Sequence, residues 1–225
     1  MWYVLDAVPG AELIYGFCRD MDPEKVRRSL QQGRIEKYLQ HIPVRKNDIF
    51  FINPGTVHAI GAGVLLAEIQ ENSNLTYRLY DYDRTDKNGT RRPLHIEKAL
   101  DVLHMKSSEN PRQPMRVLRY RPGCASELLG RCKYFQVERL LLNPAGNLGH
   151  EIPADNATEQ SVDCTTDTLS FRVLLCLDGT GKLLTGIDSG SFEILPFQKG
   201  DCIFLTADSP RLSISGNAQL LRVSC

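Results

Sequence analysis

The sequence has no close cysteine pair; its seven cysteines (18, 124, 132, 164, 176, 202 and 225) are widely and irregularly spaced. Zinc ribbons and dithiol redox motifs both need C-x-x-C-like spacing, so neither reading stands. An excess of either charge is lacking as well. The 27 Lys and Arg residues are balanced by 27 Asp and Glu, which leaves no electrostatic footprint for nucleic acid. No apolar run approaches the ~20 residues of a membrane helix. A secretory signal is missing, because Met1-Trp2-Tyr3-Val4-Leu5 meets Asp6 with no basic lead-in. Nor is there a glycine-rich phosphate loop of either standard spacing. The N-x-S/T matches at Asn74, Asn88 and Asn156 have no secretory route to give them meaning. These absences point to a cytoplasmic protein with no membrane and no nucleic-acid partner. They say nothing of oligomeric state.

What remains is an ordinary globular composition, 42% hydrophobic and 24% charged over 225 residues, enough for one large or two small domains. Trp2–Val8, rich in aromatic and β-branched residues, turns at Pro9-Gly10 and returns over Glu12–Phe17, a hairpin signal. A first residue lying in what reads as a strand interior predicts an upstream piece. Helix is expected over 23–32, capped by Asp22 with Pro23 at the first position and stopped by Gly33. A second helix is expected over Ile35–Ile42, where Ile35, Leu39 and Ile42 recur, and a third over Ile96–Leu103. From Val44 onward, short strands and turns every ~8–12 residues give the rhythm of a sandwich or barrel. Later strands are expected at about 134–142, 170–177, 191–196, 202–205 and 219–224, with Asp178-Gly179-Thr180-Gly181 as a turn. The polar, proline-bearing stretch 104–116 reads as a linker between a unit 1–103, with a helical insertion at about 22–42, and a unit 117–225.

An internal repeat ties the two units together. Asp48–His58 can be laid on Asp201–Arg211: in each, an Asp opens an apolar strand that ends in a second turn. At the tenth place after the Asp, the first copy has His58 and the second Arg211. The expected fold is therefore mainly β, two β-sandwich units of related plan.

Three places could carry chemistry. His58 follows the tight turn Pro54-Gly55 among small neighbours, where a neutral imidazole could bind a divalent ion or merely be hydrogen-bonded at a barrel mouth. Glu68 shares a strand face with Leu66 and Gln70; it is either a pocket carboxylate fit for acid–base work or a solvated one. Tyr77–Arg84 interleaves aromatics with both charge signs. It reads as an edge strand with a charge ladder, or as an anion clamp built on Arg78 or Arg84. His41 (at the C-terminus of the expected second helix), His95, His104 and His150 read as structural or solvated.

Gly55-Thr56-Val57-His58-Ala59-Ile60-Gly61 and Thr76-Tyr77-Arg78-Leu79-Tyr80-Asp81-Tyr82-Asp83-Arg84, together with Met1–Leu5 and Leu94–Leu100, closely resemble the short bacterial type I mannose-6-phosphate isomerases. The resemblance covers about 1–103 strongly; beyond 115 only the general rhythm matches. It implies two cupin-type jelly-roll units and a zinc-dependent aldose–ketose isomerase acting through an enediol on mannose 6-phosphate and fructose 6-phosphate. By the same resemblance, His58 is the last protein ligand of the zinc, Arg78 the active-site arginine and Glu68 a pocket carboxylate or base. The sequence departs from the family where a Gln-x-His pair and a Glu just before the Trp-Tyr-Val-Leu strand supply the other ligands, for here Met1 adjoins Trp2. The expectation is that the 225-residue chain binds zinc weakly and isomerises nothing measurable. The alternative reading is a non-catalytic cupin that binds a sugar phosphate, or an inactive fragment.

Overall fold

The computed structural model describes residues 1–111, 113–143, 161–186 and 193–225. Arg112, His150, Asn156 and the first residues of the strand expected at 191–196 lie outside them. The chain divides into Met1–Gln113 and Pro114–Cys225, a boundary that falls inside the stretch read as a linker. Residues 104–108 are nevertheless built into the first unit. The His104 N–H donates to Gly55 O at 2.9 Å, Met21 N–H to Met105 O, and Ser108 N–H to Phe17 O. Gln113 in turn brackets Ile49 with two hydrogen bonds.

In the first unit the elements are β1 (Trp2–Ala7), β2 (Glu12–Phe17), α1 (Pro23–Gln31), a 3₁₀ turn at Ile35–Tyr38, β3 (Leu39–Pro43), β4 (Ile49–Phe50), β5 (His58–Ile60), β6 (Val64–Glu68) and α2 (Ile96–Leu100). Two three-stranded antiparallel sheets form, ordered β4-β1-β6 and β3-β2-β5. Their facing sides bury Trp2, Val4, Leu13 and Phe50. The outer face of the second sheet is covered by the helical segments, through Ile14, Phe17, Val26, Ile35, Leu39 and Leu100. The α1 start is as the sequence dictates: the Asp22 carboxylate accepts the Lys25 N–H at 2.8 Å. The helix expected over Ile35–Ile42 is instead one 3₁₀ turn followed by a strand. His41 accordingly lies on β3 beside Glu12, at 3.1 Å, rather than at a helix C-terminus.

The second unit contains β7 (Arg119–Arg121), β8 (Cys124–Arg131), β9 (Gln136–Leu142), β10 (Val162–Asp163), β11 (Arg172–Thr185), β12 (Glu193–Gln198), β13 (Cys202–Leu205) and β14 (Leu212–Ser224). The long strands β11 and β14 run through both layers. One end of β11 pairs with β13 and the other with β12. The Asp178–Gly181 segment is thus a bend within β11, not a turn ending it. A Cβ on Gly181 would lie 2.4 Å from Phe197 Cζ and from Ser215 O, so close packing explains that glycine.

The two units repeat each other bond for bond. Val4 N–H donates to Asp48 O (2.9 Å) and Cys176 N–H to Asp201 O (2.8 Å). Asn47 N–H returns to Val4 O, and Gly200 N–H to Cys176 O. Each Asp carboxylate accepts the N–H three residues back, from Arg45 at 2.9 Å and Gln198 at 2.8 Å. A bulge follows Val4 in β1 and Cys176 in β11. The register refines the sequence alignment. Tyr15 pairs with His58 and Leu13 with Ile60; Thr185 pairs with Leu212 and Leu183 with Ile214. The counterpart of His58 is therefore Leu212, not Arg211, and one extra residue after the Asp201 turn accounts for the slip. The architecture is mainly β, two cupin-type sandwich units with open sheets, and α1 with its 3₁₀ turn is an insertion in the first.

Candidate active site

Strand alternation brings Trp2, Leu66 and Glu68 to the inner face of one sheet and Tyr15 and His58 to the inner face of the other. Trp2 stands directly across from both Phe50 and Glu68. It is 2% exposed, and its indole N–H donates to Glu68 Oε1 at 2.9 Å. The His58 ring meets the Trp2 ring edge-on, with centroids 5.3 Å apart and planes at 71°. Trp2 therefore bridges the two candidate residues at the mouth of the sandwich, and sequence reasoning missed it. The signal was available, since alternation along β1 buries Trp2 with Val4.

His58 Nδ1 lies 2.8 Å from Thr56 O. A carbonyl only accepts, so this hydrogen bond assigns the ring proton to Nδ1 and leaves the Nε2 lone pair outward. Such a backbone-anchored imidazole fits a metal as one ligand. The described residues do not fit one as a site: among them no group of three or more His, Cys, Asp and Glu could hold a metal ion, and one Glu68 oxygen is engaged by Trp2. A cavity of about 420 Å³ adjoins this mouth, lined by Tyr15, Asn53, Thr56, His104, Ser108 and Glu109 among others. Of its lining residues, Tyr15 pairs with His58 across the sheet and Thr56 O takes the His58 ring N–H, but His58, Glu68 and Arg78 are not themselves part of the lining.

Arg78 sits in the irregular stretch between β6 and α2. Its N–H donates to His95 Nδ1 (3.1 Å), its carbonyl accepts the His95 N–H (2.8 Å), and its Nη1 donates to Pro93 O (3.3 Å). The next residue, Leu79, is buried against Phe17, Val26 and Leu100. The edge-strand reading of Tyr77–Arg84 is corrected. The stretch forms no ladder strand; its charges close on themselves. Buried Asp81 takes two hydrogen bonds from Arg92 and an ion pair from Arg84 at 3.8 Å. The Arg92 guanidinium holds the Asp81 carboxyl below the usual aspartate range. Arg84 also lies over the Tyr82 ring, so both arginines considered for anion binding make internal contacts, Arg78 with Pro93 O and Arg84 with Asp81 and Tyr82. Tyr82 and Asp83 both adopt φ 53°, a left-handed pair that bulky residues hold only under tertiary constraint.

In the second unit the corresponding mouth has no such chemistry. Leu174 replaces Trp2, Leu212 replaces His58, and Arg222, paired with Glu138, stands at the place of Glu68.

No protein-family model matches the chain. The mannose-6-phosphate isomerase ManA of Bacillus subtilis is 30% identical over 98% of this chain and 62% of its own length. The mannose-6-phosphate isomerase of Streptococcus mutans is 43% identical over 98% and 61%. The chain is homologous to mannose-6-phosphate isomerases. It spans about three fifths of the length of these relatives. The crystal structure of the B. subtilis isomerase superposes with a TM-score of 0.79 at 27% identity, over 99% of this chain and 63% of that one. A phosphomannose isomerase of Salmonella typhimurium, at 16% identity and TM-score 0.56, shares the fold. Among the described residues no helix is long and apolar enough to cross a membrane.

Proposed function

We propose that the protein is a cytoplasmic aldose–ketose isomerase that interconverts mannose 6-phosphate and fructose 6-phosphate through an enediol. The observation that carries this reading is the joining of His58 and Glu68 through Trp2 at one sandwich mouth, in a homologue of proteins named for that reaction. Isomerisation moves a proton between adjacent carbons and builds negative charge on oxygen, so it needs a base and a preorganised positive charge. Glu68 is the base in this reading. The indole N–H fixes Oε1 and so orients the carboxylate, which leaves Oε2 to take the proton. Arg78 supplies the fixed positive charge, its guanidinium always ionised. Were a zinc ion present, the chemistry it would supply is Lewis-acid polarisation of the substrate carbonyl. His58 would hold it through Nε2, with further ligands beyond those the described residues bring together. A non-catalytic sugar-phosphate-binding protein would keep Arg78 and the pocket without a metal, and that is the second reading.

The test has two arms: this chain, and a chain extended by the part of the relatives it does not span. Zinc content is measured by elemental analysis and isomerisation by conversion of mannose 6-phosphate. Sub-stoichiometric zinc in the shorter chain and full zinc with turnover in the longer one is the expected result. In the longer chain, Arg78→Ala should lower turnover roughly a hundred- to a thousand-fold, the cost of ~3–4 kcal/mol for one lost preorganised charge, with zinc unchanged. Binding of mannose 6-phosphate without turnover in either chain would favour the second reading. Retention of most of the rate by Arg78→Ala would remove that residue from the mechanism.

A further inference from the structure

We infer that His95 is the positioning residue for Arg78, and that its imidazole acts as a hydrogen-bond acceptor for that purpose rather than as a helix cap. His95 occupies the N-cap place of α2, yet its side chain makes no capping bond. It directs Nδ1 at the Arg78 N–H instead, at 3.1 Å, while its own N–H donates to the Arg78 carbonyl at 2.8 Å. Because Nδ1 accepts, the ring proton of the neutral form is on Nε2. Pro93 O, two residues earlier, takes the guanidinium Nη1 at 3.3 Å. Three bonds from one short segment thus fix the backbone and the side chain of one arginine.

Fold stability alone does not ask for this arrangement. Leu79 already anchors the stretch in the core, and an Asn or Ser at position 95 would cap α2 better. An arginine that stabilises developing charge does ask for it, because a freely rotating side chain must be ordered in each turnover, whereas a held one acts without reorganisation. The role rests on the reading of Arg78 given above; the clamp itself does not.

The two parts are separated by experiment on the chain as it exists. Asn carries an acceptor at the place of Nδ1 and Gln does not, so His95→Asn and His95→Gln differ in the one atom at issue. Amide hydrogen exchange at Arg78, read by NMR, should quicken roughly five- to tenfold in His95→Gln, the equivalent of about 1 kcal/mol for one hydrogen bond, and stay near the original rate in His95→Asn. The ¹⁵N shift of His95 Nδ1 should be that of an unprotonated ring nitrogen. Calorimetric binding of mannose 6-phosphate should weaken in His95→Gln towards the level of Arg78→Ala, recover in His95→Asn, and fall no further in the double variant Arg78→Ala/His95→Gln. Unchanged Arg78 exchange in His95→Gln, or a protonated Nδ1, would overturn the clamp. Altered exchange with sugar-phosphate binding indifferent to Arg78→Ala would leave the clamp standing and sink the functional reading instead.

Discussion

Replacing Glu68 by Leu tests the bridge at the sandwich mouth. The indole N–H of Trp2 has Glu68 Oε1 as its acceptor, 2.9 Å away, and Trp2 is 2% exposed. Removing an acceptor from a buried donor costs about 1–3 kcal/mol, more at the upper end when the acceptor is charged. Glu68 itself is exposed, however, so water can reach part of the vacated place, and the expected loss is about 1 kcal/mol. Glu68→Gln keeps a carbonyl oxygen at the same reach and should lose no more than about half of that. Trp2 is the sole tryptophan, so intrinsic fluorescence during urea unfolding reports this mouth alone. With a slope of about 1–3 kcal/mol per molar, the Leu variant should unfold ~0.5 M earlier than the parent and the Gln variant close to it. The emission of folded Glu68→Leu should also shift, because the indole loses a charged neighbour. Equal midpoints for Leu, Gln and the parent would refute the reasoning, since no hydrogen bond would then link Trp2 to Glu68 and nothing would orient the proposed base.

Two further outcomes follow from burial and charge. Burial raises the thiols of Cys124, Cys164 and Cys176, that of Cys164 up to about 11; a thiol reagent at neutral pH should modify exposed Cys18, Cys202 and Cys225 in the folded protein and reach these three only on unfolding. Asp81 is held ionised by Arg92, so its folded-state pKa lies below its unfolded one. The stability it contributes is complete above the ordinary aspartate range and is lost as pH falls through the folded value; acid titration of the parent against Asp81→Asn should show the gap in stability closing toward strong acid and constant at neutral pH.

Much of the fold was legible because it follows from local chemistry. Asp22, Pro23 and Gly33 announce α1, and the paired turns at Asp48 and Asp201 announce the duplication. The misread segment, 35–42, shows where such reasoning stops. Ile35, Leu39 and Ile42 recur at helical intervals, yet Leu39 packs with the helix-side core and Ile42 with the inter-sheet core. One helix face could not serve both; a strand lying between two cores does, and the pairing with β2 decides it. In the same way Gly179 and Gly181 looked like turn residues because nothing in a local pattern distinguishes a turn from a tight crossing in a continuing strand. At the candidate site, His58, Glu68 and Arg78 were singled out by residue type and resemblance. Trp2 and His95, which hold Glu68 and Arg78, were missed because their work is done across 66 and 17 residues of chain.

The second unit shows which of these features the fold needs. It keeps the carbonyl and amide bonds of the Asp48 turn, the bulge and the strand register, all fixed by backbone groups that must be paired wherever they are buried. It keeps none of the mouth side chains. Leu174 and Leu212 are fully buried where Trp2 and His58 stand, and Arg222 is neutralised by Glu138 where Glu68 offers its carboxylate. His58 and Glu68 are both exposed at the mouth, so the imidazole and the carboxylate stay in water there and add little to the core. In the first unit they are held by an indole N–H and a backbone carbonyl, bonds that the leucine side chains at the corresponding places of the second unit have no group to make. The same comparison sharpens the position of His58: it lies one residue out of step with Arg211, at a place where the duplicate closes its core with leucine.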